Sequence, residues 1–442
     1  MKTPLVLAVA VSVLLCAAGA NAEPDGARDS QPTNLRGIER EAVEPGDTAR
    51  DAANALLYLP RESLELLFTA TGAVGGLIED EQVVPRVKNL LNPPPGEISV
   101  FPTLFAETGS SFNVGARLLA RERNLASTLR MGYGGDEAVV VDSRVRLALP
   151  EPVPLALTLE SFADRQARSF GGLGQRPGSD DRNQFNPGAP DTTAFYLETR
   201  ERFITSLGAR ALEDAELFLS SSLTRRRNED SSSHRDRGLD DVFVAGSVPG
   251  AGDTTRLVYT EATVRVDTRP WRGGPATGFL FESYAGRSHD ADAPDHRFWR
   301  VGGRLASFHE VVRPTNIVSP KLVLDTLSRV GDWEVPFTEL TGQPEFRGFD
   351  TRRDDVSLVG SLDYRWGIWR YAAARIFIDG ATVAPRVAAL RLEHLRWAGG
   401  FGFDLFSNTT LLGSATVVGS PEGFRVLMRF GVASGFGDRQ HR

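Results

Sequence analysis

The sequence predicts an all-β protein, a 16-stranded antiparallel transmembrane β-barrel that follows a short N-terminal helical segment. Three observations lead to this prediction. Polar and apolar residues alternate with a period of two, most alternating segments reach the roughly 9 to 11 residues of a tilted membrane strand, and short links alternate with long ones.

Residues 1–22 have the pattern of a secretory signal peptide. Lys2 precedes an apolar run that ends at Leu15, and Ala20-Asn21-Ala22 places small residues at the spacing that signal peptidase requires. The run is shorter than the roughly 20 apolar residues that cross a bilayer as a helix, which disfavours a retained anchor. Cleavage at this point would remove Cys16, the single cysteine, and so would exclude disulfides.

Composition alone does not identify a membrane protein. The chain has 41% hydrophobic and 24% charged residues, so its hydropathy is that of a soluble protein. Membrane barrels escape hydropathy searches because lipid-facing and lumen-facing side chains alternate, which leaves each strand about half polar. The formal net charge of -7 disfavours nucleic acid as a partner.

Strict alternation is clearest in the last segment of the chain and recurs around Tyr259, from Val356 and from Ala372. In the last segment Phe424, Val426, Met428, Phe430 and Val432 share one face, and Arg425, Leu427 and Arg429 share the other. The two segments from Val356 and Ala372 place Asp363 and Asp379 on their polar faces. A soluble β-sandwich also alternates, so alternation alone leaves that alternative open.

Sixteen such segments can be counted. They lie near residues 98–106, 112–120, 125–134, 138–148, 155–166, 194–211, 214–227, 255–268, 276–287, 296–309, 317–329, 355–366, 370–379, 397–406, 410–418 and 424–436. With both barrel ends in the periplasm, every long polar link would face outside the cell and every short link inside, as in outer-membrane barrels. A soluble β-sandwich has no physical reason to alternate long and short links in this way.

Two unlike pieces precede the barrel, which is predicted to span residues 96–436. Residues 23–47 are polar and are predicted to be disordered. Residues 48–95 have a helical pattern that Pro93-Pro94-Pro95 ends, typical of short amphipathic helices. These helices could dock under the periplasmic mouth of the barrel, lie on the inner leaflet or enter the lumen as a plug; the first arrangement is favoured.

Three short stretches carry a family resemblance: Arg347-Gly348-Phe349, then 360–365 with Asp363, then 377–380 with Asp379. Their order and spacing resemble the C-terminal barrel of the BamA/TamA family of outer-membrane insertases and translocators, also called the bacterial surface antigen family. The resemblance implies that Arg347 lies on an outer loop that folds back into the lumen, bonds Asp363 and Asp379, and leaves Phe349 against the inner wall. An arginine suits two carboxylates because its guanidinium has five fixed donors.

Two features depart from the family. The 75 residues from Glu23 to Glu97 are too few for a series of periplasmic POTRA modules, so the chain resembles a short form without them. The terminal aromatic residue that barrel-assembly machinery recognises is Phe436 by this resemblance, although six residues follow it.

The resemblance implies an outer-membrane protein that acts in outer-membrane protein assembly or polypeptide translocation. Its expected partners are outer-membrane lipid, the barrel-assembly machinery during biogenesis, and client outer-membrane or secreted polypeptides. The alternative is a passive pore or structural barrel. No enzyme, cofactor or metal site is predicted, because the six histidines have no metal-ligand spacing and no nucleophile or phosphate-binding motif occurs.

Overall fold

A computed structural model describes most of the predicted barrel. The described residues are 96, 98–105, 113–135, 138–149, 154–189, 193–230, 237–270, 276–293, 295–311, 315–343, 345–369, 372–406 and 411–430. The predicted signal peptide (1–22), polar segment (23–47) and helical segment (48–95) lie outside the described residues, and so does Phe436.

The described residues form sixteen strands and a few short helices. The strands are β1 (Ile98–Phe105), β2 (Asn113–Arg121), β3 (Leu125–Tyr133), β4 (Ala138–Ala148), β5 (Leu155–Phe170), β6 (Ala194–Leu212), β7 (Ala215–Asp230), β8 (Thr254–Asp267), β9 (Gly278–Asp290), β10 (Arg297–Glu310), β11 (Ile317–Val330), β12 (Val356–Trp369), β13 (Ala372–Ala384), β14 (Arg396–Phe406), β15 (Leu411–Ser420) and β16 (Gly423–Phe430). Helix α1 is Leu239–Val242, and 3-10 turns occupy Pro177–Ser179, Phe337–Glu339, Val387–Ala389 and Leu392–His394. No helix in the described ranges is long and apolar enough to cross a membrane.

Each strand pairs antiparallel with the next, so the sheet order is β1 to β16 without a crossover. Strands β1 and β16, at the two ends of this order, lie beside each other with Cα atoms within 8 Å, but no backbone ladder joins their described residues. The prediction of an antiparallel all-β barrel is therefore confirmed, with sixteen strands among the described residues, and the place where β1 meets β16 is called the seam.

The outer and inner faces follow the predicted alternation. On β8, Glu261 and Arg265 are 1% exposed, whereas the intervening Val264 is 42% exposed. On β16, Phe424 is 78% exposed and Leu427 is 7% exposed. At these positions Glu261 and Arg265 point into the lumen, and Val264 and Phe424 point outward, as expected for an outer face in lipid.

Two aromatic residues on the outer face of β12 are buried, contrary to the simple pattern. Tyr364 and Trp366 share the outward register of Leu362 but are 5% and 1% exposed. The link between β10 and β11 covers them, since Val311 packs on this cluster and Asn316 Nδ2 donates a hydrogen bond of 3.1 Å to Tyr364 Oη. A link at the barrel rim can thus bury outward side chains that period two alone would assign to lipid.

The strict parity of link lengths is wrong at three places. At the rim that carries the long links, β3 and β4 are joined by the four-residue link 134–137. At the same rim, β15 and β16 are joined by the two-residue turn 421–422. At the opposite rim, β8 and β9 are joined by the ten-residue link 268–277. The three longest links, 171–193, 231–253 and 331–355, do share one rim, which is called the long-loop rim below.

Strand β13 is longer than predicted. It continues past Asp379 to Ala384, because the ladder with β12 persists from the Gly360–Gly380 pair to the Val356–Ala384 pair. Glycine weakens a strand but does not end one when both neighbours continue to hydrogen-bond. The extension raises the wall next to Asp379 toward the long-loop rim.

The three long links meet in an apolar cluster at the long-loop rim. Phe337 packs between Phe170 and Tyr196, with ring centroids 4.8 and 4.9 Å apart, and Phe243 lies 5.3 Å from Phe170. All four side chains are at most 3% exposed. Such aromatic pairs contribute about 0.5–1.5 kcal/mol each beyond the area that they bury. The cluster fixes the start of the link 331–355 on the lumenal faces of β5 and β6.

Candidate functional site

The link 331–355, called the lumenal loop, leaves β11 at Val330 and returns to β12 at Val356. Its middle part enters the lumen and contacts the inner wall of the last strands. The loop backbone is tied to itself where Phe346 N donates to Gln343 O at 2.9 Å and Gln343 N donates to Asp350 Oδ1 at 2.8 Å. These bonds close a compact turn that presents Arg347 to the wall.

Arg347 bonds both predicted carboxylates. Its Nε donates to Asp379 Oδ2 at 2.8 Å and its Nη2 to Asp379 Oδ1 at 2.5 Å. Its Nη1 and Nη2 donate to Asp363 Oδ1 and Oδ2 at 2.5 and 3.1 Å, and its backbone N donates to Asp379 Oδ2 at 3.1 Å. The guanidinium also lies 3.5 Å from the ring centroid of Phe377. One arginine therefore holds the loop to β12 and β13 at once.

The site is partly withdrawn from water. The side chains of Asp379, Arg347 and Asp363 are 0%, 12% and 21% exposed. Burial acts to lower the pKa of Arg347, but the hydrogen bonds and charges of Asp379 and Asp363 outweigh burial and raise that pKa. The Arg347 guanidinium is therefore charged at every physiological pH. Its charged hydrogen bonds to Asp363 and Asp379 hold the lumenal loop against the barrel wall.

Gly348 and Phe349 complete the predicted stretch. A Cβ on Gly348 would lie 2.5 Å from the ring of Phe346 and 3.1 Å from Ala398 Cβ on β14. Its backbone φ is outside the positive range, so glycine serves close approach to the wall here and not a left-handed turn. The carbonyl of Gly348 accepts a hydrogen bond from Arg425, whose guanidinium lies 5.7 Å from the ring centroid of Phe349. The loop therefore also contacts β16.

A second set of contacts was not predicted. Glu345, two residues before Arg347, accepts hydrogen bonds from Arg304 on β10 and from Lys321 Nζ on β11, the latter at 2.8 Å. Gln343 accepts one from Arg396 on β14. One indication of these contacts was present in the sequence. The alternation of β10 and β11 places Arg304 and Lys321 in the lumen, but it does not show which carboxylate they bind.

One end of the loop is held by the link 171–193 and the other by strand β7. Asp354 accepts two hydrogen bonds from Arg182 at 2.9 and 2.8 Å, and Arg226 on β7 donates to Thr338 O at 2.6 Å. Hydrogen bonds to Asp354 and Asp180 are the largest influences on Arg182 and raise its pKa. The lumenal loop is thus fixed at its two ends and at its middle.

A cavity of about 630 Å³ remains in the lumen beside the loop. Arg347, Glu345, Lys321, Asp363 and Arg375 are among its lining residues, so its wall carries both charge signs. Within the described ranges, no group of three or more His, Cys, Asp or Glu side chains could hold a metal ion.

Comparison with known proteins identifies the fold. No protein-family model matches the sequence, and no curated protein matches it. Among solved structures, BamA from Haemophilus ducreyi lacking POTRA domains 1–3 is similar over 76% of this chain and 70% of that chain, with 10% identity and a TM-score of 0.50.

Two other structures are more distant. CdiB from Acinetobacter baumannii has 9% identity and a TM-score of 0.46, over 76% of this chain and 60% of that chain. The translocator domain of autotransporter NalP from Neisseria meningitidis has 10% identity and a TM-score of 0.23, over 82% and 95%. The similarity to BamA alone shows that the chain has the same β-barrel fold.

Proposed function

We propose that this chain is an outer-membrane barrel of the BamA/TamA type that acts, without enzymatic chemistry, in outer-membrane protein assembly or polypeptide translocation. The observation that carries the proposal is the lumenal loop whose Arg347 bonds Asp363 and Asp379. A loop that a partly buried ion pair fixes to the lumenal wall supports a braced barrel over a permanently open channel.

The seam supplies a mechanism for this role. Strands β1 and β16 lie beside each other, and no ladder joins them in the described part of the chain. Unpaired strand edges offer backbone donors and acceptors to another strand. A client strand could pair with such an edge by β-augmentation, while the lumenal loop holds β12, β13 and β16 in place.

The expected surroundings follow from the proposal. The outer face would contact outer-membrane lipid, the barrel-assembly machinery would insert the chain during biogenesis, and outer-membrane or secreted polypeptides would be its clients. Export through a cleaved signal peptide at residues 1–22 is part of the same proposal.

The test uses the refolded protein in liposomes and measures the folding rate of an unrelated outer-membrane barrel added in urea. Faster client folding than in liposomes that contain an inert barrel of equal size supports the proposal. The same rate in both, together with unchanged levels of other outer-membrane proteins in a deletion strain, would contradict it.

The alternative is a passive pore, and the lumenal cavity of about 630 Å³ beside the loop favours it. Planar-bilayer conductance separates the two. A nearly closed wild type that opens after Arg347→Ala supports a braced, gated barrel, whereas a large steady conductance in both proteins supports the pore.

A further inference from the structure

Outward-facing charge is confined to one side of the barrel. By the alternation of each strand, the outward positions of β1 to β4 and of β11 to β16 hold no Asp, Glu, Lys or Arg among the described residues. The outward charged side chains of β5 to β10 are Arg165, Glu201, Arg225, Arg227, Glu229, Arg256, Arg287 and Arg297. Outward-facing charged side chains thus occur on six neighbouring strands and on none of the other ten. This distribution indicates that the outer surface of β5 to β10 has a local function or a more polar surrounding.

All of these charges lie in the half of their strand that is nearer the long-loop rim. Each is within seven residues of the end of its strand at the long-loop rim. Toward the opposite rim the outer face of β7 carries no further charge: Leu223, Leu219 and Leu217 are 53%, 57% and 45% exposed, and the exposed Ser221 lies among them. The change from arginine to leucine marks the boundary between lipid tails and headgroups, since charged side chains near that boundary extend toward the polar layer.

Four of the arginines form a compact group, called the arginine patch: Arg165, Arg225, Arg227 and Arg256. Arg225 lies directly opposite Arg256 in the ladder of β7 with β8. Arg227 and Arg165 both lie opposite Thr199, from the two sides of β6. Neighbouring strands are about 4.8 Å apart, so the patch spans three spacings, about 15 Å. This width matches the headgroup region of one or two lipids.

The patch is exposed and only weakly paired within the protein. Its side chains are 44% to 59% exposed. Their carboxylate partners are Glu201, Glu229 and Asp292, with closest N to O distances of 2.8 to 3.6 Å. Exposed ion pairs of this kind contribute about 0–1 kcal/mol. Four cations face three carboxylates here, an excess of positive charge on a chain whose net charge is -7.

We propose that the arginine patch binds the phosphate groups of anionic lipid in the leaflet at the long-loop rim. Arginine binds phosphate bidentately and more specifically than lysine does, and a phosphate with two negative charges competes well with an exposed carboxylate. The apolar residues directly beneath the patch, such as Leu223, hold the acyl chains of the same lipid. This assignment rests on the membrane barrel fold and not on the assembly role.

The test compares lipid binding by the folded protein in neutral detergent, measured by native mass spectrometry. The probes are phosphatidic acid, diacylglycerol with the same acyl chains, and inorganic phosphate. The variant is Arg225→Gln with Arg256→Gln. The matched control is Arg386→Gln with Arg391→Gln, which removes the same charge from the exposed link 385–395.

Loss of two charge-assisted contacts predicts that the dissociation constant for phosphatidic acid rises at least about tenfold in the variant and stays unchanged in the control. Diacylglycerol should bind weakly to every protein. Equal binding of phosphatidic acid to variant and control, or tighter binding of inorganic phosphate than of the lipid, would overturn the proposal. If the double variant does not fold, Arg165→Gln with Arg227→Gln replaces it and the same outcomes apply.

Discussion

Replacing Arg347 with alanine should release the lumenal loop from the wall. The substitution removes four side-chain hydrogen bonds to Asp363 and Asp379 and the contact with the Phe377 ring. Asp379, with a side chain that is 0% exposed, would stay in the wall without its cation. Removing one partner of a buried ion pair costs about 3–5 kcal/mol, which corresponds to a factor of roughly 10² to 10⁴ in the equilibrium between bound and released loop.

The two carboxylates should not contribute equally. Asp379 accepts three hydrogen bonds from Arg347, including one from its backbone N, whereas Asp363 accepts two and is 21% exposed. Asp379→Ala should therefore be more destabilising than Asp363→Ala. The double variant Arg347→Ala with Asp379→Ala should be less destabilised than the sum of the two single variants, because no unpaired charge is left on Asp379.

The assay is a denaturant titration of the refolded protein in micelles, with proteolysis of the lumenal loop at sub-denaturing concentrations as the second measurement. Wild-type protein should resist cleavage within residues 331–355, and Arg347→Ala should be cleaved there first. The reasoning is wrong if Arg347→Ala keeps the wild-type stability and protection, or if Asp363→Ala is more destabilising than Asp379→Ala.

Three further outcomes can be measured on the same protein. Gly348→Ala should destabilise the folded barrel by about 1–3 kcal/mol, because its Cβ would lie 2.5 Å from the Phe346 ring; an unchanged denaturation midpoint would contradict the close packing. Arg182→Gln should expose the link 171–193 to protease without opening the loop centre, since it frees the buried Asp354 but leaves Arg347 bound; a cleavage pattern equal to that of Arg347→Ala would show that the two contacts are one unit. Partial burial acts to raise the pKa of Asp180, but hydrogen bonds from Arg182 outweigh it and leave this pKa below the usual value. The ionised Asp180 therefore stabilises the fold above the unfolded-state pKa of about 3.9, and this contribution is lost as the pH falls through the lower folded-state pKa. Protection of the link 171–193 should be constant from pH 8 to pH 5 and should decline toward pH 3, less steeply in Asp180→Asn.

The strands could be predicted closely because each carries its own signal. Period two fixes which side chains share a face, and it placed Asp363 and Asp379 in the lumen before any partner was known. The contact of these residues with Arg347 came from the family resemblance, since nothing in the spacing of residues says where a link of 25 residues folds.

The contacts of Glu345 and Arg182 could not be predicted in the same way. Glu345 meets Arg304 and Lys321 across the lumen, and Arg182 meets Asp354 although 172 residues separate them in the chain. Neither pair has a periodic pattern, because the position of a loop within the barrel depends on every other side chain that faces the lumen.

The sequence by itself determined the class of fold, the number and approximate bounds of the strands, and the face on which each side chain lies, because these depend on local alternation and strand length. Only the tertiary structure determined where the links pack and which residues they contact. It brought the lumenal loop against β12, β13, β14 and β16, buried Tyr364 and Trp366 under the link between β10 and β11, and aligned the arginine patch from three separate strands. These are contacts between residues distant in the chain, and strand register, tilt and loop packing together determine them.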